Sequence, residues 1–342
     1  MLGPSAIGRA LRLALACVTL ACVWLASGCG GGKPALEDVI IQLDARPNAA
    51  HIGMYVALAK GWYKQAGIQV RITEFTLASP EEAVANEQAD LGFSSAPALI
   101  TARAAGVDAI SVASVVQHSL RALAVLTSSD LERPRDFDDQ VYAGHDLPYR
   151  DAAARAIVRS DGGQGNFSTA KVSTAAMQSL VERRADFTDI SLAAEGIDAE
   201  LKGLKLRTFR YDKYALPDYA SVVLVGKPST LTKKEALLRR FLEVTRRGYE
   251  LSAQQPQPNF ALYEKSLRRG SFVEPEAVRR AVVMLAPSFL AADGRWGAQD
   301  ASQWGAYARW LVDEGVLRDA KGALLRAEPS GGPLFTNALL AR

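Results

Sequence analysis

Beyond residue 29 the chain has no cysteine; its three are Cys17, Cys22 and Cys29. A body without thiols forms no internal disulfide, no Cys-ligated zinc site, no iron–sulfur cluster and no thiol nucleophile. Histidine is nearly missing too. His51, His118 and His145 stand alone, with no H-E-x-x-H pair and no carboxylate cluster at ligand spacing, so no metal motif is present. An excess of one charge is absent. Forty Lys+Arg against 37 Asp+Glu give a net charge of +3 over 342 residues, which provides no basic footprint for nucleic acid. There is no P-loop, dinucleotide fingerprint, heptad run or tandem repeat, and no cofactor is expected.

What is present begins at the N-terminus. Arg9 and Arg12 precede an uncharged, largely apolar run from Leu13 to Ala26. That run is short for a membrane span of about 20 residues and suits the core of a signal peptide. It ends in Leu25-Ala26-Ser27-Gly28-Cys29, followed by Gly30-Gly31-Gly32-Lys33-Pro34. Small residues before a cysteine resemble the lipobox of bacterial lipoproteins, although Leu25 stands one place further from the cysteine than is usual. The expected organisation is a signal peptide over 1–28, then a flexible tether over 29–37 lipidated at Cys29. An uncleaved anchor helix is the alternative. Arg9 and Arg12 would leave with the signal peptide, so the exported, membrane-anchored chain is close to neutral.

The body alternates strand and helix. Val39–Leu43, Ile68–Ile72, Asp90–Phe93, Ala109–Val116 and Ala122–Leu126 read as strands, with helices between the first four. A charged stretch over 128–140 follows, then a second alternation through Val141–Ala143, Ala170–Val172, Asp186–Ile190 and Leu206–Phe209. Val222–Val225 is one more strand, and from Leu231 the pattern is helical only. This predicts an α/β fold with largely parallel sheets. Residues 38–126 and 221–342 are expected in one lobe and 127–220 in another, with the C-terminal helices outside.

Ligands of open α/β sheets bind at the carboxyl ends of strands. Four stretches qualify. Asp44-Ala45-Arg46-Pro47-Asn48-Ala49-Ala50-His51 links a strand to a helix, and Asp44, Asn48 and His51 either meet a ligand or cap the turn. Gly92-Phe93-Ser94-Ser95-Ala96-Pro97 approaches a nucleophile elbow, but Ala96 replaces its last glycine. Ser94 or Ser95 as the nucleophile of an exported hydrolase is therefore the competing reading, and helix capping the commoner one. Gln117-His118-Ser119 is a polar turn between apolar strands, and Tyr142 to Tyr149 is another strand end, offering His145, Asp146 and Tyr149.

Several of these stretches carry a family resemblance. Leu43-Asp44-Ala45-Arg46-Pro47-Asn48-Ala49-Ala50-His51-Ile52-Gly53-Met54-Tyr55-Val56-Ala57, Lys60-Gly61-Trp62-Tyr63, Ala89-Asp90-Leu91-Gly92-Phe93, Val116-Gln117-His118, Ala215-Leu216-Pro217-Asp218-Tyr219 and Leu334-Phe335-Thr336-Asn337 occur in one order. They resemble the periplasmic binding proteins for thiamine pyrimidine precursors, which are relatives of the taurine and alkanesulfonate binders. The resemblance implies a two-lobed, type II Venus-flytrap fold that closes on a small ligand. It also implies a monomer that delivers the ligand to an ABC permease and is not an enzyme. Asp44, Asn48, His51 and Glu195 match polar positions of that family. Tyr55, Ser94, Ser95, Gln117, His118, Asp146 and Tyr149 complete the expected ligand-binding set.

The departures concern stacking. Ala45 follows the aspartate where the pyrimidine binders carry an aromatic residue. Ser95 and Ala96 replace an aromatic–acid pair, and Ser191-Leu192-Ala193-Ala194 replaces an aromatic-rich stretch before Glu195. The expected pocket is therefore wider, fit for a larger heterocycle such as a flavin, with stacking from Tyr55, Phe93, Tyr149 or Tyr219. The cysteine-rich motif of the yeast-type pyrimidine synthases is absent, which argues against that chemistry.

Overall fold

Residues 35–73, 78–172, 175–267, 271–272 and 274–340 are described by the computed structural model. The expected signal peptide, Cys29 and most of the tether lie outside these residues. In chain order the strands are β1 (Glu37–Gln42), β2 (Ile68–Thr73), β3 (Leu91–Ser94), β4 (Ile110–Val116) and β5 (Arg121–Leu126). Then come β6 (Val141–Gly144), β7 (Ser168–Lys171), β8 (Phe187–Ser191), β9 (Leu206–Arg210) and β10 (Val222–Gly226). β1 thus takes Glu37 from the stretch assigned to the tether.

Among the described residues these strands form two five-stranded sheets, ordered β2-β1-β3-β10-β4 and β7-β6-β8-β5-β9. β-branched and aliphatic side chains bury both faces of the first sheet: every residue of β4, at its end, is buried, and Val39 and Ile41 of β1 are fully so. In the first sheet β1 runs parallel to β2 and β3, with Val39 opposite Val70 and Ile41 opposite Leu91. β10 is antiparallel to both its neighbours, β3 and β4. The second sheet repeats the pattern. β6 is parallel to β7 and β8, and β5 is antiparallel to β8 and β9.

The sheets are largely parallel, as expected, and each holds one antiparallel strand. One expectation is corrected: the first crossing between sheets falls earlier than expected. β5 was assigned to the first lobe, up to residue 126, yet it pairs only within the second sheet. The charged stretch after it marks exposed chain, and exposure does not say which sheet a strand joins. In the second sheet β5 has a partner on each side, placing Leu123 between Asp189 of β8 and Phe209 of β9. The crossing is the short link over 117–120, and the chain returns over 211–221.

The two crossing segments are tied to each other. Ser221 N donates to Val116 O (3.0 Å) and Ser221 Oγ to His118 O (2.9 Å). Ser119 N donates to Asp218 Oδ1 (3.0 Å), and His118 Nδ1 lies 2.6 Å from Asp218 Oδ2. Gln303, on helix Ala301–Asp313, donates to Gln117 O (3.1 Å) and Asp218 Oδ2 (3.2 Å).

The C-terminal helices do more than cover the outside. Helix Glu235–Gln254 crosses helix Ile52–Ala59 where both carry glycine. A Cβ on Gly248 would lie 2.0 Å from the Gly53 carbonyl oxygen, and one on Gly53 would meet the Tyr249 ring at 2.3 Å. That contact brings Tyr249 over the β1 loop, where its hydroxyl donates to Ala50 O (2.7 Å). Tyr263, on helix Pro256–Ser266, likewise donates to Asn48 O (3.0 Å). The second sheet packs around an aromatic cluster in which Phe137 and Phe187 stack at 4.3 Å.

Candidate functional site

A cavity of about 540 Å³ lies where the carboxyl ends of strands from both sheets face each other. From the first sheet it receives residues 44–50 after β1, together with Ser95 and Pro97 after β3. From the second it receives Tyr149 and Arg150 after β6, Ser191 at the end of β8 and Arg121 at the start of β5. The crossing segments add Leu120 and Tyr219. Helix Pro275–Leu285 closes one side with Ala277, Val278, Ala281 and Leu285. This is a second correction to the picture of C-terminal helices packed outside.

The β1 loop is rigid for identifiable reasons. Asn48 opens the turn Ala49–His51, its Oδ1 accepting from Ala50 N at 2.9 Å. Asn48 N donates to His51 Nδ1 at 3.2 Å. A backbone N–H can only donate, so Nδ1 accepts and the ring proton sits on Nε2. His51 Nε2 then donates to Asp44 Oδ1 at 2.9 Å. The imidazole is fully buried and lies edge-on to Phe93 at 4.6 Å. His51 therefore aims the half-exposed Asp44 carboxylate from behind and does not itself reach the cavity.

The opposite wall is built on Asp189. This β8 carboxylate has no exposure, and Arg121 of β5 donates to it through Nε (2.7 Å) and Nη2. The Tyr211 hydroxyl donates to it as well, and Arg150 Nη1 lies 3.5 Å away. Burial alone would push the Asp189 carboxyl up, but the Arg121 charge and hydrogen bonds outweigh it and hold the group below its ordinary value. The carboxylate therefore stays ionised, and Arg121 stays charged despite its burial, held well above its ordinary pKa by Asp189.

Of the expected residues, Asp44, Asn48, Ser95 and Tyr149 line the cavity, with Tyr219. The others lie elsewhere. Tyr55 is buried and packs on Tyr263 at 4.9 Å. Gln117 is buried and donates to Ala298 O at 3.2 Å. His118 joins the crossing segments, and Asp146 pairs with Lys171 at the surface (2.8 Å). Glu195 Oε2 accepts from Ser191 N at 2.9 Å, which shapes the single π turn Leu192–Gly196 beside the cavity. The buried Ser94 hydroxyl donates to Glu81, and Ser95 Oγ accepts from Ala98 N at 3.3 Å. The one histidine near this corner, His51, is committed to Asn48 and Asp44, so neither serine is joined to a histidine as a Ser–His pair requires.

Sequence reasoning missed Arg121, Arg150 and Phe272, all of which line the cavity. Arg121 had a signal. A lone Arg opens an apolar strand and a lone Asp sits inside another, and such charges enter a sheet interior only as a pair.

A profile described as "NMT1/THI5 like" matches residues 48–259. The chain belongs to the NMT1/THI5-like family. Within reach of that family, the formylaminopyrimidine-binding protein of Halalkalibacterium halodurans is 26% identical over 287 residues, covering 81% of this chain and 85% of that one. Solved structures share the fold at low identity. The alkanesulfonate-binding protein SsuA from Xanthomonas axonopodis pv. citri, bound to MOPS, has a TM-score of 0.63 at 14% identity, covering 85% of this chain and 96% of its own. The periplasmic sulfonate-binding protein SsuA from Methylobacillus flagellatus has a TM-score of 0.66 at 15% identity, covering 89% and 92%. The two-sheet architecture of this family member is thus the two-lobed periplasmic-binding-protein fold.

Proposed function

We propose that this family member is an extracytoplasmic solute-binding protein of an ABC importer, and not an enzyme. It captures a small heterocyclic metabolite between its lobes and hands it to the permease. One observation carries the reading: a cavity of about 540 Å³ formed jointly by both sheets, with fixed polar groups on each wall and neither Ser94 nor Ser95 bonded to a histidine. The pyrimidine relative supports a heterocyclic ligand. Asp44, held by His51, is an acceptor for a ring amine, and Tyr149 and Tyr219 supply aromatic faces.

Ala45 and Ala194 line the cavity with small side chains, which supports a ring system larger than a pyrimidine, such as a flavin. Calorimetric titration with the hydroxymethyl aminopyrimidine and with riboflavin tests this. Binding of riboflavin at least about tenfold tighter is expected; tighter binding of the aminopyrimidine contradicts the wider pocket and leaves solute capture standing.

Cys29 is proposed as the lipid anchor of a monomer on the outer face of a membrane. Radiolabelled palmitate should enter the wild-type chain, and Cys29→Ser should release it from the membrane fraction. A Cys29→Ser chain that stays membrane-bound would favour the uncleaved anchor helix.

A further inference from the structure

Arg121 and Arg150 both line the cavity on the second-sheet wall, and between them lies one carboxylate, Asp189. Arg121 takes that carboxylate in a two-pronged grip, leaving Arg150 at 3.5 Å, beyond hydrogen-bond distance. Arg150 Nε is buried and has no hydrogen-bond partner. Two guanidiniums thus share one carboxylate, and Arg150, a side chain 21% exposed that also hydrogen-bonds Tyr149, has no counter-ion of its own among the described residues lining the cavity. Helix Pro148–Ser160 begins at this wall, and Leu147 gives it no side-chain cap. The other ionic residues lining the cavity do not answer Arg150. Asp44 is held by His51 on the first-sheet side, Asp198 pairs with Lys202 at 2.7 Å, and Arg46 and Glu274 are exposed.

We infer that the ligand carries an anionic group, a carboxylate, sulfonate or phosphate, and that Arg150, with Arg121 beside it, binds that group. The inference rests on the solute-binding reading above and adds to it the charge of the ligand and the residue that selects it. Arginine suits the role because its planar fork donates two parallel hydrogen bonds to such oxyanions. Asp44 on the facing side makes the cavity bipolar, so a ring with an amine at one end and an anion at the other satisfies both walls.

The test uses the full-length protein purified natively from its own host, with two matched probe pairs: riboflavin with flavin mononucleotide, and hydroxymethyl aminopyrimidine with its monophosphate. Mass spectrometry first reads any compound that copurifies. One bearing a carboxylate, sulfonate or phosphate supports the inference, whatever ring carries it; a neutral one overturns it. Titration of the pairs should show the anionic member binding at least about tenfold tighter than its parent. Arg150→Gln should close that gap about tenfold, and Arg150→Lys should keep part of it. Equal affinities, or a gap that survives Arg150→Gln, overturn the inference but not solute capture. No copurified compound and no binding of any probe overturn the solute-binding reading and the inference with it. If Arg150→Gln does not fold, salt titration of the wild type decides. The anionic member should lose affinity from 50 to 500 mM salt about tenfold more than its parent, and parallel salt curves overturn the inference.

Discussion

At Asp189 one buried carboxylate receives Arg121, the Tyr211 hydroxyl and the approach of Arg150. Replacing it with Asn keeps the shape and removes the charge, leaving two guanidiniums in a wall that excludes water. Asp189→Asn is expected to cost about 3–5 kcal/mol of stability, read as a lowered urea midpoint with an unchanged slope. A second residue-level prediction concerns His118 and Asp218, which join the crossing segments. The hydrogen bond to Asp218 raises the His118 pKa from its ordinary 6.5. Burial pushes Asp218 up, but its bonds from His118 and Ser119 outweigh this and lower it. The stability His118 adds is therefore complete below pH 6.5 and lost as pH rises through its raised value. Asp218's share is lost as pH falls through its lowered value. His118 is well exposed, so the effect is small. Melting temperature should decline slightly above neutrality in the wild type, and His118→Gln should flatten that slope. At this scale the sequence was partly readable. Asp44, Asn48 and His51 lie in one loop, so spacing alone brings them together. Arg121, Arg150 and Asp189 come from three elements, and only pairing makes them neighbours.

Among the elements, the contact between helices Ile52–Ala59 and Glu235–Gln254 decides how the β1 loop is held. Gly53 and Gly248 let the backbones touch, and the touch puts the Tyr249 hydroxyl on Ala50 O. Gly248→Ala places a methyl against the Gly53 carbonyl and should force the helices apart. Overpacking of this kind costs about 1–3 kcal/mol, measurable by urea unfolding, and should also weaken ligand affinity by loosening the loop. Stability and affinity both unchanged would show that the loop does not depend on this crossing. The helices themselves were legible, because amphipathic periodicity marks both Glu235–Gln254 and Pro275–Leu285 and a first-turn proline marks the second. Which face of Pro275–Leu285 meets the cavity was not. A helix with apolar residues on one side packs equally well against a core or a cleft, and its partners lie far away in the chain.

In the whole molecule, two α/β units exchange one strand each. The exchange makes both sheets mixed and runs both connections past the same cavity. Alternation of strand and helix revealed the units, and the family resemblance revealed their arrangement. The exchanged strand β5 escaped because an apolar strand after a short turn fits the sheet it leaves as well as the one it joins. Only the second sheet offers it partners on both sides. The central claim is that the space between the units holds one small solute. Native electrospray mass spectrometry of the protein purified from its own host tests it most directly. The account predicts a one-to-one complex with a small organic compound that is released on denaturation. A spectrum of the bare chain alone, with no heat on titration with pyrimidine or flavin compounds, would contradict it.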